Sequence, residues 1–217
     1  MTATTWWWPL SRATGLVAWA ALTASVAWGL LLRTSLLAGR RRPAALLAMH
    51  RWLAGLGAAL TALHLGALWA DSTVHFGPVE LLVPFASAWR PGAVALGVAA
   101  LHLLTAVLVT SLAMRRLPRR RWRQVHWSSY AAFVLATLHG VTAGSDAGRA
   151  LVRLGLVAGV AAVAFLLTYR VLTRRSLGTP RRAGRLSSSA TRPTSGPREA
   201  AAGGRRGGPG PRRAPAG

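Results

Sequence analysis

Residues 49–70 read MHRWLAGLGAALTALHLGALWA and residues 121–140 read RWRQVHWSSYAAFVLATLHG. Each is an apolar run with a histidine near both ends. A membrane-spanning helix takes about 20 mainly apolar residues. A bare imidazole in hydrocarbon is costly unless something binds it. The two stretches therefore predict membrane helices whose histidines have a ligand or a strong partner.

Working outward, five segments reach spanning length: about 14–32, 44–70, 92–113, 124–143 and 149–172. The third begins after WRPG, where Pro91 suits a helix start. The first could be a signal peptide. Its apolar run is longer than the usual signal core and its positive charge follows it, so a retained helix is expected. The expected fold is an all-α integral membrane bundle of about five transmembrane helices over residues 14–174. A short segment, 1–13, precedes it and a tail, 175–217, follows.

The chain of 217 residues is 52% hydrophobic yet carries a formal charge of +23, and these properties belong to different regions. All 27 basic residues are Arg. They cluster after the first segment (Arg33, Arg40, Arg41, Arg42), between the third and fourth (Arg115, Arg116, Arg119, Arg120, Arg121, Arg123) and after the fifth (Arg170, Arg174, Arg175). The other connections hold Asp71, Glu80 and Asp146. Positive charge stays on the cytoplasmic side, so the amino terminus is expected outside and the carboxyl terminus inside, in a bacterial-type plasma membrane. Trp52, Trp69, Trp89, Trp122 and Trp127 fall near segment ends, as interfacial aromatics do. The tail is rich in Arg, Gly, Pro and Ser and has few large apolar residues, a composition expected to stay disordered. With no aromatics among its arginines it fits anionic lipid better than nucleic acid. The connection 71–91 suggests a short surface half-helix from Pro78 to Ala86, or a lid.

Four acidic residues, Asp71, Glu80, Asp146 and Glu199, leave little for paired-carboxylate catalysis. Cysteine is absent, which excludes disulfides and thiolate-ligated clusters. Histidine is the remaining strong ligand for a transition metal. His50 and His64 are 14 residues apart, and Gly57 lies midway. That spacing puts them about 21 Å apart along nearly one helix face. His126 and His139 are 13 residues apart, with Phe133 between. That is about 20 Å of rise, with the rings about 140° out of phase, so the helix must tighten into a 3₁₀ stretch or the rings must reach from different flanks. The second and fourth segments run parallel. His50 then shares the cytoplasmic level with His126, and His64 the outer level with His139. Two imidazoles per level suit two six-coordinate b-type hemes. Zinc fits less well, because the paired levels are too far apart for one tetrahedral site. His102 has no counterpart at its depth and is expected to be packed or hydrogen-bonded. His75 is expected to be a loop residue, or a proton-handling group near the outer level. Arg51, Arg123 and Arg90 are candidate counter-ions for heme propionates, or topology charges.

These stretches, with VHFGPVELLVPFASAWRP, resemble the ferric reductase-like transmembrane domain family. That family includes ferric reductases, NADPH oxidases and the heme-binding membrane subunit of the periplasmic methionine-sulfoxide reductase system. Its members carry four histidines on two helices at spacings like those here. The resemblance implies that His50, His64, His126 and His139 are axial ligands of two b hemes and that the chain is an oxidoreductase component moving electrons across the membrane. It departs from the full-length reductases in having no flavin or nicotinamide motif, and many relatives have six spans. The expected donor is thus separate, a flavin reductase or quinol, and the acceptor lies outside: ferric iron, oxygen, a quinone or a partner reductase. A heme-free membrane scaffold and a heme or redox sensor are the other classes considered.

Overall fold

A computed structural model describes residues 6–34, 43–72, 74, 76–146 and 148–177 of the chain. The described residues are helical, with no strand among them: α1 (Trp7–Leu31), α2 (Pro43–Ala70), α3 (Pro78–Leu82), α4 (Pro91–Leu112), α5 (Arg119–Ala143) and α6 (Ala150–Leu177). Of the tail expected to be disordered over 175–217, residues 175–177 are still part of α6, and the rest lies outside the described residues.

Four helices, α1, α2, α4 and α6, are long and apolar enough to cross a membrane. The protein is an integral membrane protein on that ground. The sequence leads to five spans. The helix that falls short is α5, which is 25 residues long but carries Arg119, Arg120, Arg121 and Arg123 in its first turns, then two histidines, Ser128, Ser129 and Tyr130. Its polar residues belong to an interior wall, described below.

Several boundaries differ from expectation, with α5 starting at Arg119 rather than near 124 and α6 running on to Leu177 rather than ending near 172. Helix α1 starts at Trp7 rather than near residue 14, so half of the expected amino-terminal segment is helix. Pro9 does not block it, because first-turn N–H groups have no helical acceptor in any case. The surface half-helix is one turn only, Pro78–Leu82, and ends where Val83 turns extended and Phe85 takes a φ of 69°.

Helix α1 packs along α2 and α4 along α5, while α1 also touches α5 and α6. Apart from Leu30 near its end, the buried positions on α1 are small or weakly polar: Ser11, Thr14, Ala18, Ala21, Thr23 and Ser25. Small side chains let helix backbones approach closely, which in lipid is a main source of association. The hydroxyls of Ser11, Thr14 and Thr23 turn back onto their own helix, whereas Ser25 Oγ reaches across to α2, 3.4 Å from His50 O and 3.3 Å from His50 Nδ1. Thr14 Oγ1 donates to Leu10 O at 2.7 Å and Thr23 Oγ1 to Trp19 O at 2.7 Å. No donor is left facing hydrocarbon there.

Two apolar clusters close the ends. Leu30, Val163 and Leu166 pack with Val26, Tyr130 and Phe133, joining α1, α5 and α6. Phe76, Val94 and Val98 pack with Leu68, Leu81 and Trp89, seating the 71–90 connection on α2 and α4. Between them Trp19 binds three helices. Its ring stacks on Phe133 with centroids 6.4 Å apart, and its Nε1 donates to Thr137 Oγ1 at 2.9 Å. On α6 a Cβ at Gly159 would come within 2.6 Å of the Trp19 ring, so glycine is what lets α6 close over it.

Candidate functional site

A cavity of about 1530 Å³ runs through the middle of the helix bundle, larger than the roughly 300–1,000 Å³ of pockets for drug-sized ligands. Its wall includes His50, His64, His126 and His139. The sequence expected two pairs on parallel helices, and the structure brings those pairs together. The rings of His50 and His126 have centroids 6.3 Å apart with planes at 76°. Those of His64 and His139 are 6.5 Å apart at 74°. Two imidazoles sharing one ion, at about 2 Å per metal–nitrogen bond, hold their ring centres about 6 Å apart. Both pairs therefore have the separation of a two-histidine ion site.

Ring orientation comes from neighbouring backbone. His50 Nδ1 lies 3.0 Å from Ser25 O, His64 Nδ1 2.6 Å from Ser11 O, and His139 Nδ1 2.8 Å from Ala93 O. A carbonyl oxygen accepts only, so each of these Nδ1 atoms donates its proton and Nε2 keeps a free lone pair. Such bonds fix the tautomer and raise the basicity of the other nitrogen.

In all three cases a glycine stands four residues beyond the accepting carbonyl. A Cβ at Gly15 would sit 3.0 Å from His64 Nδ1, at Gly29 3.2 Å from His50 Cε1, and at Gly97 2.7 Å from His139 Nδ1. A helical carbonyl already accepts from the amide four residues on. Its second lone pair is reachable only if the residue above leaves a gap, and glycine leaves one. Ser11 with Gly15 and Ser25 with Gly29 form two copies of this notch, 14 residues apart, in register with the 14 between His50 and His64. That repeat is present in the sequence, but it marks supports for the histidines and carries no ligand of its own, so a search of ligand spacing passes over it.

His126 is the exception. Its Nδ1 is buried without a hydrogen-bond partner among the described residues, and so is Nε1 of Trp122. The two rings stack, with centroids 5.1 Å apart and planes at 22°. Helix α5 is α-helical throughout, so the 3₁₀ tightening considered for the 13-residue spacing does not occur. The rings instead leave on different flanks, His139 toward α4 and His126 over Trp122.

Charge divides along the cavity. Arg33, Arg51, Arg115, Arg123 and Arg170 line it toward the His50 level. Arg170 Nη1 donates to Tyr130 Oη at 3.2 Å. Toward the His64 level the wall holds Arg12, Glu80 and Asp146. Arg12 forms an ion pair with Asp146, with Nε donating to Oδ2 at 2.7 Å, and Arg149 Nε reaches Oδ1 at 3.0 Å. The Arg12 hydrogen bond holds the Asp146 carboxyl below its ordinary range against the opposing effect of burial. Arg51 and Arg123, expected as counter-ions, do line the cavity. Arg90 is exposed and donates to Thr142 O at 2.8 Å, which ties the start of α4 to the end of α5. His102 is exposed on α4 and outside the cavity wall, which overturns the expectation that it packs. His75 lies outside the described residues.

Among the described residues no three His, Asp or Glu side chains converge. Each level thus offers two protein nitrogens, short of the four protein ligands of a structural zinc site.

Searches of curated proteins and of solved structures give no match. A family model does match, over residues 14–137, a stretch that includes His50, His64 and His126 and ends two residues before His139. With more than half of its length matched, the chain belongs to the family of the ferric reductase-like transmembrane component.

Proposed function

We propose that the protein is a b-type cytochrome that carries electrons across the membrane through two bis-histidine hemes. His50 and His126 would hold the inner heme and His64 and His139 the outer. The observation that carries this reading is the pair of imidazole couples, 6.3 and 6.5 Å between centres, facing each other across one long cavity. The donor set fits heme, since a porphyrin supplies four nitrogens and needs two more. Bound there, heme supplies a one-electron couple at each level.

The chain's own residues do the rest. The carbonyls of Ser11, Ser25 and Ala93 hold three imidazoles with Nε2 turned free. Apolar Leu22, Val98, Leu101 and Leu104 line the cavity and exclude water. Arg33, Arg51 and Arg123 would offer guanidinium groups to propionates at the His50 level, while Arg12 at the other level is already paired with Asp146. Two imidazoles held at each level would leave the iron of a bound heme no free position for a substrate.

The reading includes α5 as a fifth span, with its arginines at the cytoplasmic face and the amino terminus outside. This places His50 and His126 inside. Electrons would come from a separate flavin reductase or from quinol on that face and leave to an outer acceptor or partner reductase. The basic tail would rest on anionic lipid.

The test is heme content. Chain purified from cells well supplied with iron and porphyrin is expected to hold two hemes and to show a sharp α-band on reduction. His64→Ala or His139→Ala is expected to leave one heme, and so is His50→Ala or His126→Ala. Colourless protein would favour the scaffold reading, and two hemes retained without His64 would overturn the outer pair.

A further inference from the structure

We propose that Trp122 is a positioning residue for His126: its stacked indole holds, at that level, the ring orientation that backbone carbonyls hold at the other three histidines. This rests on the reading of His126 as a heme ligand.

Each of the other three rings has a carbonyl acceptor and a glycine gap on the helix beside it. Helix α4 supplies both to His139, at Ala93 and Gly97. It runs antiparallel to α5, so the matching place for His126 lies 13 or 14 residues further on. Thr110 and Ser111 stand there in place of the glycine. The carbonyls below them are also engaged, with Thr110 Oγ1 donating to Ala106 O at 2.6 Å and to Val107 O at 3.2 Å. His126 therefore has neither gap nor acceptor on α4.

What it has is Trp122, one turn earlier on its own helix, where side chains four apart lie on one face. At 5.1 Å and 22° the rings are in face-to-face contact, inside the roughly 4.5–7 Å range of aromatic pairs. A flat indole against a flat imidazole blocks ring rotation as a hydrogen bond would, but it leaves Nδ1 unpolarised. The buried, unpartnered Nδ1 and Nε1 are what such a replacement leaves behind. Trp122 thus has a role apart from the interfacial one that its place near a helix end suggests.

The test uses the full chain, purified with both hemes and oxidised. In low-spin ferric heme the largest g value depends on the angle between the two imidazole planes, so electron paramagnetic resonance reads ring orientation at each level. His64→Ala leaves the His50/His126 signal alone and so assigns it. Trp122→Leu is expected to displace that signal, and the midpoint potential that goes with it, while the other heme stays as in the wild type. Trp122→Phe, which can still stack, is expected to keep both near wild-type values. Should the leucine variant not accumulate, Trp122→Met carries the same expectation. Loss of that heme in Trp122→Leu with retention in Trp122→Phe supports the inference. A fully loaded Trp122→Leu with unchanged signals overturns it. So does equal displacement of both signals, which marks general loosening, or a Trp122→Phe variant as disturbed as Trp122→Leu. A wild-type chain whose heme content is the same in His126→Ala sinks the ligand assignment itself, and that failure is visible before any Trp122 variant is made.

Discussion

The two histidine levels have nearly the same ring separation, 6.3 and 6.5 Å, yet they are built differently. At the His64 level both imidazoles are fastened to helix backbone, one to α1 and one to α4, and each sits over a glycine. At the His50 level one ring is fastened in that way and the other rests on Trp122. A backbone carbonyl in a packed helix cannot turn away, whereas an aromatic side chain can shift its rotamer. The difference shows that helix–helix registry can itself be part of a ligand site. Where two helices are close enough for a glycine gap, the neighbour's backbone orients the ligand. Where they are not, a side chain on the same helix must.

The comparison is sharpened first by disturbing what the levels share. Trp19 stands between them, stacked on Phe133 and bonded to Thr137. Trp19→Ala removes a large ring from under α6 and is expected to cost about 3–5 kcal/mol of stability. Thermal denaturation of the membrane-extracted protein reads this. Heme should be lost from both levels in parallel, since the void opens between them. Loss from one level alone would show that Trp19 belongs to that level and not to the middle.

Next come the gaps. A methyl group at Gly97 would meet His139 Nδ1 at 2.7 Å, at Gly15 His64 Nδ1 at 3.0 Å, and at Gly29 His50 Cε1 at 3.2 Å. The rings are tethered by their carbonyls and cannot retreat freely, so crowding converts into displaced helices or lost hydrogen bonds. Gly97→Ala is expected to cost about 1–3 kcal/mol, in the range of overpacked interiors. Gly15→Ala should follow and Gly29→Ala should be mildest. Heme retention during a temperature ramp gives the order. The first two variants should weaken the His64 level and the third the His50 level. An order that ignores these distances would break the claim that the gaps serve the rings.

Much of this was legible in the sequence, for reasons that particular residues make plain. Helical rise and the odd number of crossings between α2 and α5 pair His50 with His126 and His64 with His139, and these regularities survive packing. The Ser11–Gly15 and Ser25–Gly29 repeat was equally available, but its meaning depends on α1 lying against α2 in one register. Trp122 and Trp127 look alike in sequence, each near one end of an apolar run. Only the turn of the side chain separates them, with Trp122 stacked on His126 and Trp127 58% exposed. His102 misled in the opposite sense, because a mid-helix position says nothing about which neighbour, if any, covers that face. The half-helix at Pro78 was overextended since periodicity cannot foresee a left-handed residue at Phe85.

The smallest expected effect concerns the end of the bundle beside the His64 level, where Arg12 of α1 grips Asp146 in the α5–α6 connection. No comparable ion pair is present at the His50 level among the described residues. The hydrogen bond from Arg12 lowers the folded-state pKa of Asp146, so the folded chain holds the carboxylate ionised at a pH where the unfolded chain has begun to protonate. The stabilisation is therefore complete above the ordinary aspartate range, near about 3.9, and fades as pH falls through the lower folded value. Between pH 6 and 8, wild-type stability should be flat with respect to this group. Asp146→Asn keeps the shape and removes the charge, so it should lower the melting temperature slightly at neutral pH, and the gap from wild type should close in strong acid. Melting curves of both forms across pH 2–8 measure this. A gap that widened on acidification would reverse the sign and would mean that Asp146 is stabilised in its protonated form, which is incompatible with a guanidinium on one side and Arg149 on the other.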